Sequence, residues 1–114
     1  MKKITAYIHS FMTEKVTDTL RDGKIHGVTV IKCEGFGRLA TDGGKAHYRD
    51  EDVEIGFASK TKIEIVCSDK EVDAIIKIIQ SSAHTGKYGD GKIFVSDIHK
   101  ALDIRTGKIG DEVL

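Results

Sequence analysis

Apolar and polar residues alternate along several short stretches of the chain, the pattern of strands with one buried face. In residues 2–9, Ile4, Ala6 and Ile8 fall on one face and mainly polar side chains on the other. Two later stretches are rich in β-branched residues and are predicted to pair as antiparallel strands. The pattern predicts four strands: residues 2–9, 27–33, 61–67 and 92–96.

The first of two helical patterns lies within residues 11–22. Val16 and Leu20 are four residues apart, as on one face of an amphipathic helix. Thr13 is a candidate N-cap and Gly23 a candidate stop.

The second helix has the clearer start signal, because Ser68-x-x-Glu71 forms a capping box before an apolar run. Gly86 is expected to end this helix. Its apolar stripe is predicted to be core: Val72, Ile75, Ile76 and Ile79.

The predicted order β-α-β-β-α-β is that of a ferredoxin-like α+β sandwich, with a four-stranded antiparallel sheet and two helices on one face. We expect one domain over residues 1–114, a short helical turn at 99–102 and a glycine-bearing tail. The uncovered face of the sheet must be buried against something, and identical subunits are the simplest partner.

Residues 34–60, between the second and third strands, contain five glycines, many charges and little periodic apolar pattern. Loops longer than about a dozen residues without structure of their own tend to be functional or disordered. We interpret this segment as a mobile arm that reads an effector or a target. A disordered surface loop with no task is the alternative.

Charge and cysteine content exclude several classes of protein. Eighteen basic and eighteen acidic side chains give a formal net charge of zero, so the global balance does not predict binding to nucleic acid or an anionic membrane. No apolar run is long enough to cross a bilayer, and no signal-peptide pattern follows Met1, so we expect a cytoplasmic protein. Cys33 and Cys67 lack metal-site or disulfide-scaffold spacing and are predicted to be buried free thiols.

Residues 85–95 place three glycines and two lysines between the second helix and the last strand. Glycines let backbone N–H groups turn inward around an anion, and lysine adds a positive charge. The spacing from Gly86 to Lys92 imitates a Walker A loop, but Ile93 replaces the Mg²⁺-binding hydroxyl and the helix precedes the strand. We therefore predict a phosphate-binding loop and reject a P-loop NTPase.

These residues resemble the signal-transducing PII family from Met1 to Arg105 and into the tail. Residues 85–95 match the family's C-terminal signature nearly residue for residue, with Tyr88 in place of an aliphatic residue. The other matching segments are residues 1–4, 28–30, 35–38, 62–66 and 104–107.

The resemblance implies a homotrimer that binds adenine nucleotides (ATP, ADP or AMP) in clefts between subunits, as effectors and not as cofactors. It implies a sensor, not an enzyme, in the control of nitrogen utilisation. The loop at residues 34–60 would reach a target transporter or enzyme, without membrane insertion.

The resemblance also implies roles for individual residues. Around the adenine and ribose it places Thr29, Glu64 and Val66. Near the phosphates, at the base of the long loop, it places Gly35, Gly37 and Arg38. The phosphate loop would be Gly89, Asp90, Gly91 and Lys92, with Arg105 added by the adjoining subunit.

The chain departs from the family pattern at three further positions, Leu39, Val53 and Asp103. Leu39 stands where members that sense 2-oxoglutarate with Mg-ATP have glutamine, and leucine offers no oxygen ligand, although the loop-end Lys60 is present. Tyr48 is an aromatic without an assigned task, and the tyrosine uridylylated in some members aligns with Val53. Asp103 replaces an arginine near the phosphates, which predicts weaker preference for ATP over ADP or AMP.

Several alternatives stay open. The second effector could be 2-oxoglutarate, bicarbonate, a metal or none. The five histidines lack the spacing of a zinc site, so no metal ligands are assigned. A ferredoxin-like trimer acting as a structural or metal-tolerance module without nucleotide is the main alternative. A small hydrolase, with Asp90 as its only candidate base, is the weakest.

Overall fold

The computed structural model describes residues 1–37, 41–42, 45–46 and 57–114. The strands are β1 (Lys2–His9), β2 (Val28–Gly35), β3 (Thr41–Asp42), β4 (Lys45–Ala46), β5 (Ala58–Cys67) and β6 (Gly91–Asp97). The helices are α1 (Thr13–Asp22) and α2 (Val72–Ala83). Short 3-10 turns span Ser10–Met12, Asp69–Glu71 and Asp111–Val113.

Four of these strands form one antiparallel sheet in the order β2-β5-β1-β6. β3 and β4 pair with each other separately. With two helices and this strand order, the predicted ferredoxin-like α+β fold is confirmed. β2 and β5 extend further into the long segment than predicted, to Gly35 and from Ala58.

The core lies between the helices and one face of the sheet. Alternate residues of β1 and β5 pair across the sheet, with Ile4 opposite Ile65 and Ala6 opposite Ile63, and all four are buried. The two helices close over them, because their predicted apolar stripes face the sheet. The buried apolar cluster comprises Ile4, Ala6, Ile8, Val16, Leu20, Ile63, Ile65, Cys67, Ile75, Ile79 and Ala83.

The opposite side of the sheet, here called the outer face, is not covered by the described residues. Tyr7, Ile31 and Phe94 are 36%, 38% and 53% exposed there. Tyr7 and Phe94 pack edge to face, with ring centroids 6.2 Å apart. The predicted uncovered face with apolar side chains is therefore present, and its covering by identical subunits stays a prediction.

Three local predictions were wrong, each because a nearby hydrogen bond decides the geometry. Thr13 does not cap α1: its hydroxyl bonds the Ser10 carbonyl oxygen at 2.8 Å and the Thr61 hydroxyl at 2.7 Å. The Ser68–Glu71 capping box is confirmed.

α2 ends at Ala83, not at Gly86, because His84 is already extended. The backbone N–H groups of Thr85 and Gly86 bond the Asp90 side chain instead of continuing the helix.

The third correction concerns residues 99–102, which do not form a helical turn. Leu102 forms a bridge with Ile109 across a turn at 104–106.

The prediction of two buried thiols was half right, since Cys67 is buried and Cys33 only partly so.

Gly91 is the glycine whose side-chain-free backbone the sheet requires most directly. It lies opposite Ile8 in the β1–β6 register with φ +109°, and a Cβ there would stand 1.7 Å from the Tyr7 carbonyl oxygen. Gly107 also has a positive φ, +74°, but nothing lies within 4 Å of a Cβ built on it.

The G91A substitution should therefore destabilise the protein by about 3 kcal/mol or more, since clash adds to backbone strain. G107A carries only the strain and should cost about 1 kcal/mol. Urea denaturation followed by circular dichroism measures both, and equal losses would contradict this account.

Candidate functional site

The loop between α2 and β6 is closed by the Asp90 carboxylate. One carboxylate oxygen accepts hydrogen bonds from the N–H groups of Thr85 at 2.8 Å and Gly86 at 3.0 Å. The other accepts the Thr85 hydroxyl, and that hydroxyl oxygen in turn accepts the Lys87 N–H at 3.1 Å. Asp90 therefore shapes the predicted phosphate loop from within.

Asp90 stays negatively charged in this setting. Burial alone would raise the pKa of its carboxyl, but hydrogen bonds from Thr85 and Gly86 outweigh burial and lower that pKa. An anionic ligand beside this loop would therefore need positive groups to offset Asp90.

Lys60, on β5, connects the loop to the end of the long segment. Its Nζ donates a hydrogen bond of 2.6 Å to the Gly89 carbonyl oxygen. A Cβ built on Gly35 would stand 3.9 Å from Lys60 Cγ, so the last residue of β2 lies beside the lysine stem. The structure thus brings Gly35, Lys60, Gly89 and Asp90, all predicted site residues, to one end of the sheet.

Two aromatic side chains lie where the long segment leaves and re-enters the sheet. Phe36 and Phe57 pack edge to face with ring centroids 5.1 Å apart. They follow β2 and precede β5, so this contact closes the base of the segment beside Lys60.

His9 belongs to the same group of residues but was not predicted from the sequence. Its Nε2 lies 3.3 Å from an Asp90 carboxylate oxygen, and its ring stacks on Phe11 at 4.9 Å between centroids. The only sequence signal was its position at the end of β1, on the outer face.

A second cluster lies further along β2 and β5, away from the end that carries Gly35 and Lys60. Thr29 and Glu64 are direct cross-strand partners, and both line a hollow of about 440 Å³ together with Val66. The predicted adenine and ribose residues are therefore neighbours. The remaining lining residues, which the sequence did not indicate, are Lys3, His26, Gly27, Val113 and Leu114.

The Glu64 carboxylate is neutralised by two lysines. Lys3 Nζ lies 3.0 Å and Lys62 Nζ 3.4 Å from the same carboxylate oxygen. The hydrogen bond from Lys3 is the main cause of the lowered pKa of Glu64. An anion near this hollow would thus meet lysine charge that Glu64 only partly offsets.

The outer face as a whole is positively charged, although the chain has no net charge. Cross-strand partners share a face, so the residues that alternate with the buried ones point outward. In the four paired strands these include four lysines and one glutamate, an excess of three positive charges: Lys3, Lys60, Lys62, Lys92 and Glu64.

One chain does not bring Thr29 and Lys92 together. Thr29 lies on β2 and Lys92 on β6, the two edges of the sheet, with β5 and β1 between them. Three strand spacings separate these edges by about 14 Å. Lys92 of the predicted phosphate loop is therefore apart from the predicted adenine residue Thr29 within one chain.

The tail forms a small hydrogen-bonded arm that carries Arg105. The Asp103 carboxylate accepts the Thr106 N–H at 3.0 Å, and the Asp103 N–H bonds the Lys108 carbonyl oxygen at 2.9 Å. Arg105 is exposed beside a hollow of about 640 Å³ that Val66 also lines. Asp103 thus holds the turn, a role that sequence comparison did not suggest.

Arg38, Leu39 and Tyr48 lie outside the described residues, as does most of the predicted mobile arm. Gly37 is described and exposed, with no atom within 4 Å of a Cβ built on it. Within the described ranges, no three histidine, cysteine or acidic side chains group as metal ligands, and no helix is long and apolar enough to span a membrane.

The fold and site define a ferredoxin-like α+β protein whose glycine-rich loop contacts the base of a long segment. A family model described as "Nitrogen regulatory protein P-II" matches residues 1–108. The chain belongs to this family of signal-transduction proteins, which are regulators acting on partner proteins.

Relatives match over nearly the whole chain. The nitrogen regulatory protein P-II of Azospirillum brasilense is 41% identical, covering 100% of both chains. That of Rhizobium meliloti is 40% identical over 96% of both chains. The nitrogen regulatory protein GlnK of Escherichia coli is 38% identical over 100% of both chains.

The Asp90 contacts predict a large stability effect at one position. Replacing Asp90 by alanine should cost about 2–4 kcal/mol, because two backbone donors and one hydroxyl lose their acceptor. Asp22, exposed at the end of α1, is the matched control, and D22A should change stability by less than about 0.5 kcal/mol. Equal losses in urea denaturation would contradict the loop-closing role.

The stability that D90A loses should depend on pH. Because folding lowers the Asp90 pKa, its stabilisation is complete above the carboxyl's ordinary pKa and disappears as pH falls through the lower folded value. The difference in unfolding free energy between wild type and D90A should therefore shrink in acid.

Proposed function

We propose that this protein is a P-II-type regulator that binds adenine nucleotides between neighbouring subunits of a homotrimer. It controls a transporter or enzyme through the segment at residues 34–60. The observation that carries the proposal is the 2.6 Å contact between Lys60 Nζ and the Gly89 carbonyl oxygen. It joins the end of that segment to the predicted phosphate loop, so a ligand at the loop would also bear on the segment.

The charge distribution supports a polyphosphate ligand. A chain with zero net charge concentrates an excess of three positive charges on the outer face of its sheet. Lys92 lies on this face, opposite Tyr7 in the register and at the edge next to the loop. Lysine at such a position suits a phosphate group as a point charge.

The separation of Thr29 from Lys92 supports a site shared between subunits. A nucleotide touching Thr29 and Lys92 of one chain would have to cross two intervening strands. If the β2 edge of one copy meets the β6 edge of the next, Thr29 of one copy and Lys92 of the other can face the same ligand. Association would also cover the exposed apolar residues of the outer face and Ile104, which is 97% exposed in the tail arm.

The second effector differs from the family pattern in this proposal. Leu39 cannot supply the oxygen that glutamine offers to Mg²⁺. Lys60 already has an acceptor, the Gly89 carbonyl oxygen, so a carboxylate effector would have to displace that contact. We therefore propose a regulator that 2-oxoglutarate does not tune in the usual way, with bicarbonate as the first alternative to test.

Calorimetric titration with ATP, ADP and AMP tests the central claim. We expect nucleotide binding by the wild type, and an affinity at least about tenfold lower in K92M, which loses a charge at the phosphates. Lys15, exposed on α1 in the other layer, is the matched control, and K15M should bind like the wild type.

The same titrations are repeated with Mg²⁺ plus 2-oxoglutarate and with bicarbonate, and light scattering gives the subunit number. Affinity unchanged by 2-oxoglutarate supports the altered effector response. A trimer that binds no nucleotide would reject the sensor and leave the structural module.

Asp103 should disfavour ATP, the most highly charged of the three nucleotides. Because the Asp103 carboxylate also accepts a hydrogen bond from Thr106, replacing it by arginine would not test the charge alone. Arginine at this position would add charge and also remove the acceptor for the Thr106 N–H. Asparagine keeps an acceptor oxygen and removes only the negative charge. D103N should therefore raise ATP affinity relative to AMP by about three- to tenfold.

Asp18, on α1, provides the control as D18N. An ATP-to-AMP affinity ratio equal in wild type, D103N and D18N would show that Asp103 acts only as a turn residue.

A further inference from the structure

The basic side chains of Lys60 and His9 contact two adjacent residues of the loop, Gly89 and Asp90. Lys60 Nζ donates to the Gly89 carbonyl oxygen at 2.6 Å, and His9 Nε2 lies 3.3 Å from the Asp90 carboxylate. Since a carboxylate only accepts hydrogen bonds, Nε2 must carry a proton when the pair is bonded. A neutral His9 therefore has its proton on Nε2, and protonation adds a second one at Nδ1.

The two basic groups share one neighbourhood. A Cβ built on Gly89 would stand 3.2 Å from His9 Cε1 and 3.6 Å from Lys60 Nζ. Both side chains are partly buried, so water screens their interaction less than at an open surface. Within the described residues, the charged groups facing His9 are Asp90 of the loop and Lys60 of β5, with Phe11 stacked on the ring.

The setting favours neutral His9. Burial is the main cause of its lowered pKa, the Lys60 charge adds to it, and Asp90 opposes both. Asp90 stabilises protonated His9 less than a free carboxylate would, because its oxygens already accept hydrogen bonds from Thr85 and Gly86. Protonation of His9 thus places a second positive charge beside Lys60.

We propose that His9 is a positioning residue and a proton-dependent switch for the contact between Lys60 and Gly89. With His9 neutral, Lys60 stays on the Gly89 carbonyl and holds the re-entry of the long segment against the loop. With His9 protonated, the imidazolium draws closer to Asp90 and repels Lys60 from Gly89. The switch requires no bound nucleotide.

The coupling must be reciprocal. If the placement of Lys60 at Gly89 disfavours protonation of His9, then protonation of His9 disfavours that placement by the same factor. Ser59 precedes Lys60 and follows Ala58, so its amide is a reporter for the re-entry of the segment.

The test is a proton and nitrogen NMR titration of the full chain without nucleotide, from about pH 5 to pH 8. His9 should titrate below the ordinary histidine pKa, and the amide signals of Gly89 and Ser59 should move with the same midpoint. In H9Q, which keeps a neutral donor for Asp90, these amides should not move in this range. A merely structural His9 would not give signals that follow its protonation.

A second variant measures the coupling directly. K60M should raise the His9 pKa by about half a unit to one unit, because it removes the nearby positive charge. His99, exposed beyond β6 at the opposite end of the sheet, is the control, and H99Q should leave all three signals unchanged.

Three results would overturn the proposal. They are a His9 titration that the Gly89 and Ser59 amides do not follow, amide shifts that persist in H9Q, and a His9 pKa that K60M leaves unchanged. Loss of nucleotide binding would affect none of these readouts, so failure of the switch and failure of the proposed function are distinguishable.

Discussion

The Asp90 carboxylate is the interaction on which the candidate site depends. It ends α2 before Gly86 by taking the N–H groups of Thr85 and Gly86, and so fixes the path of the loop into β6. That path brings Gly91 against the Tyr7 backbone, where no side chain fits. It also presents the Gly89 carbonyl to Lys60. One partly buried carboxylate thus fixes the end of α2, the start of β6 and the contact between the loop and Lys60.

The two faces of the sheet differ in what they contribute to the stability of one chain. Its helix side carries the apolar residues that form the core, including Ile4 and Ile63. Its outer side carries lysines, aromatic rings and a single glutamate, groups that contribute little to the core of one chain. The outer face carries both positive charge and exposed apolar side chains. Contact with a second copy of the chain would bury the apolar side chains, and an anion bound between the copies would offset the charge.

The sequence predicted the fold because each strand and helix has its own local pattern, as the stripe from Val72 to Ile79 shows. The sequence analysis placed the end of α2 too late, at Gly86. The N–H groups of Thr85 and Gly86 bond the Asp90 carboxylate, four to five residues further along the chain, instead of helix carbonyls. Thr29 and Glu64 were predicted as neighbours through resemblance, and the register places them opposite each other. His9 was missed because a lone histidine in a strand has no spacing signal, and only the fold brings it to Asp90.

Asp103 shows how a departure from a family pattern acquires two physical meanings. As a charge, it would oppose a polyphosphate bound beside Arg105, as in the proposed nucleotide site. As a hydrogen-bond acceptor, it holds the tail turn that presents Arg105. Arginine at this position could not accept the Thr106 N–H, so any chain with arginine there must hold the turn by other contacts. The aspartate therefore couples the shape of the arm to its charge, and a change in nucleotide preference at this position need not require any change in the sheet.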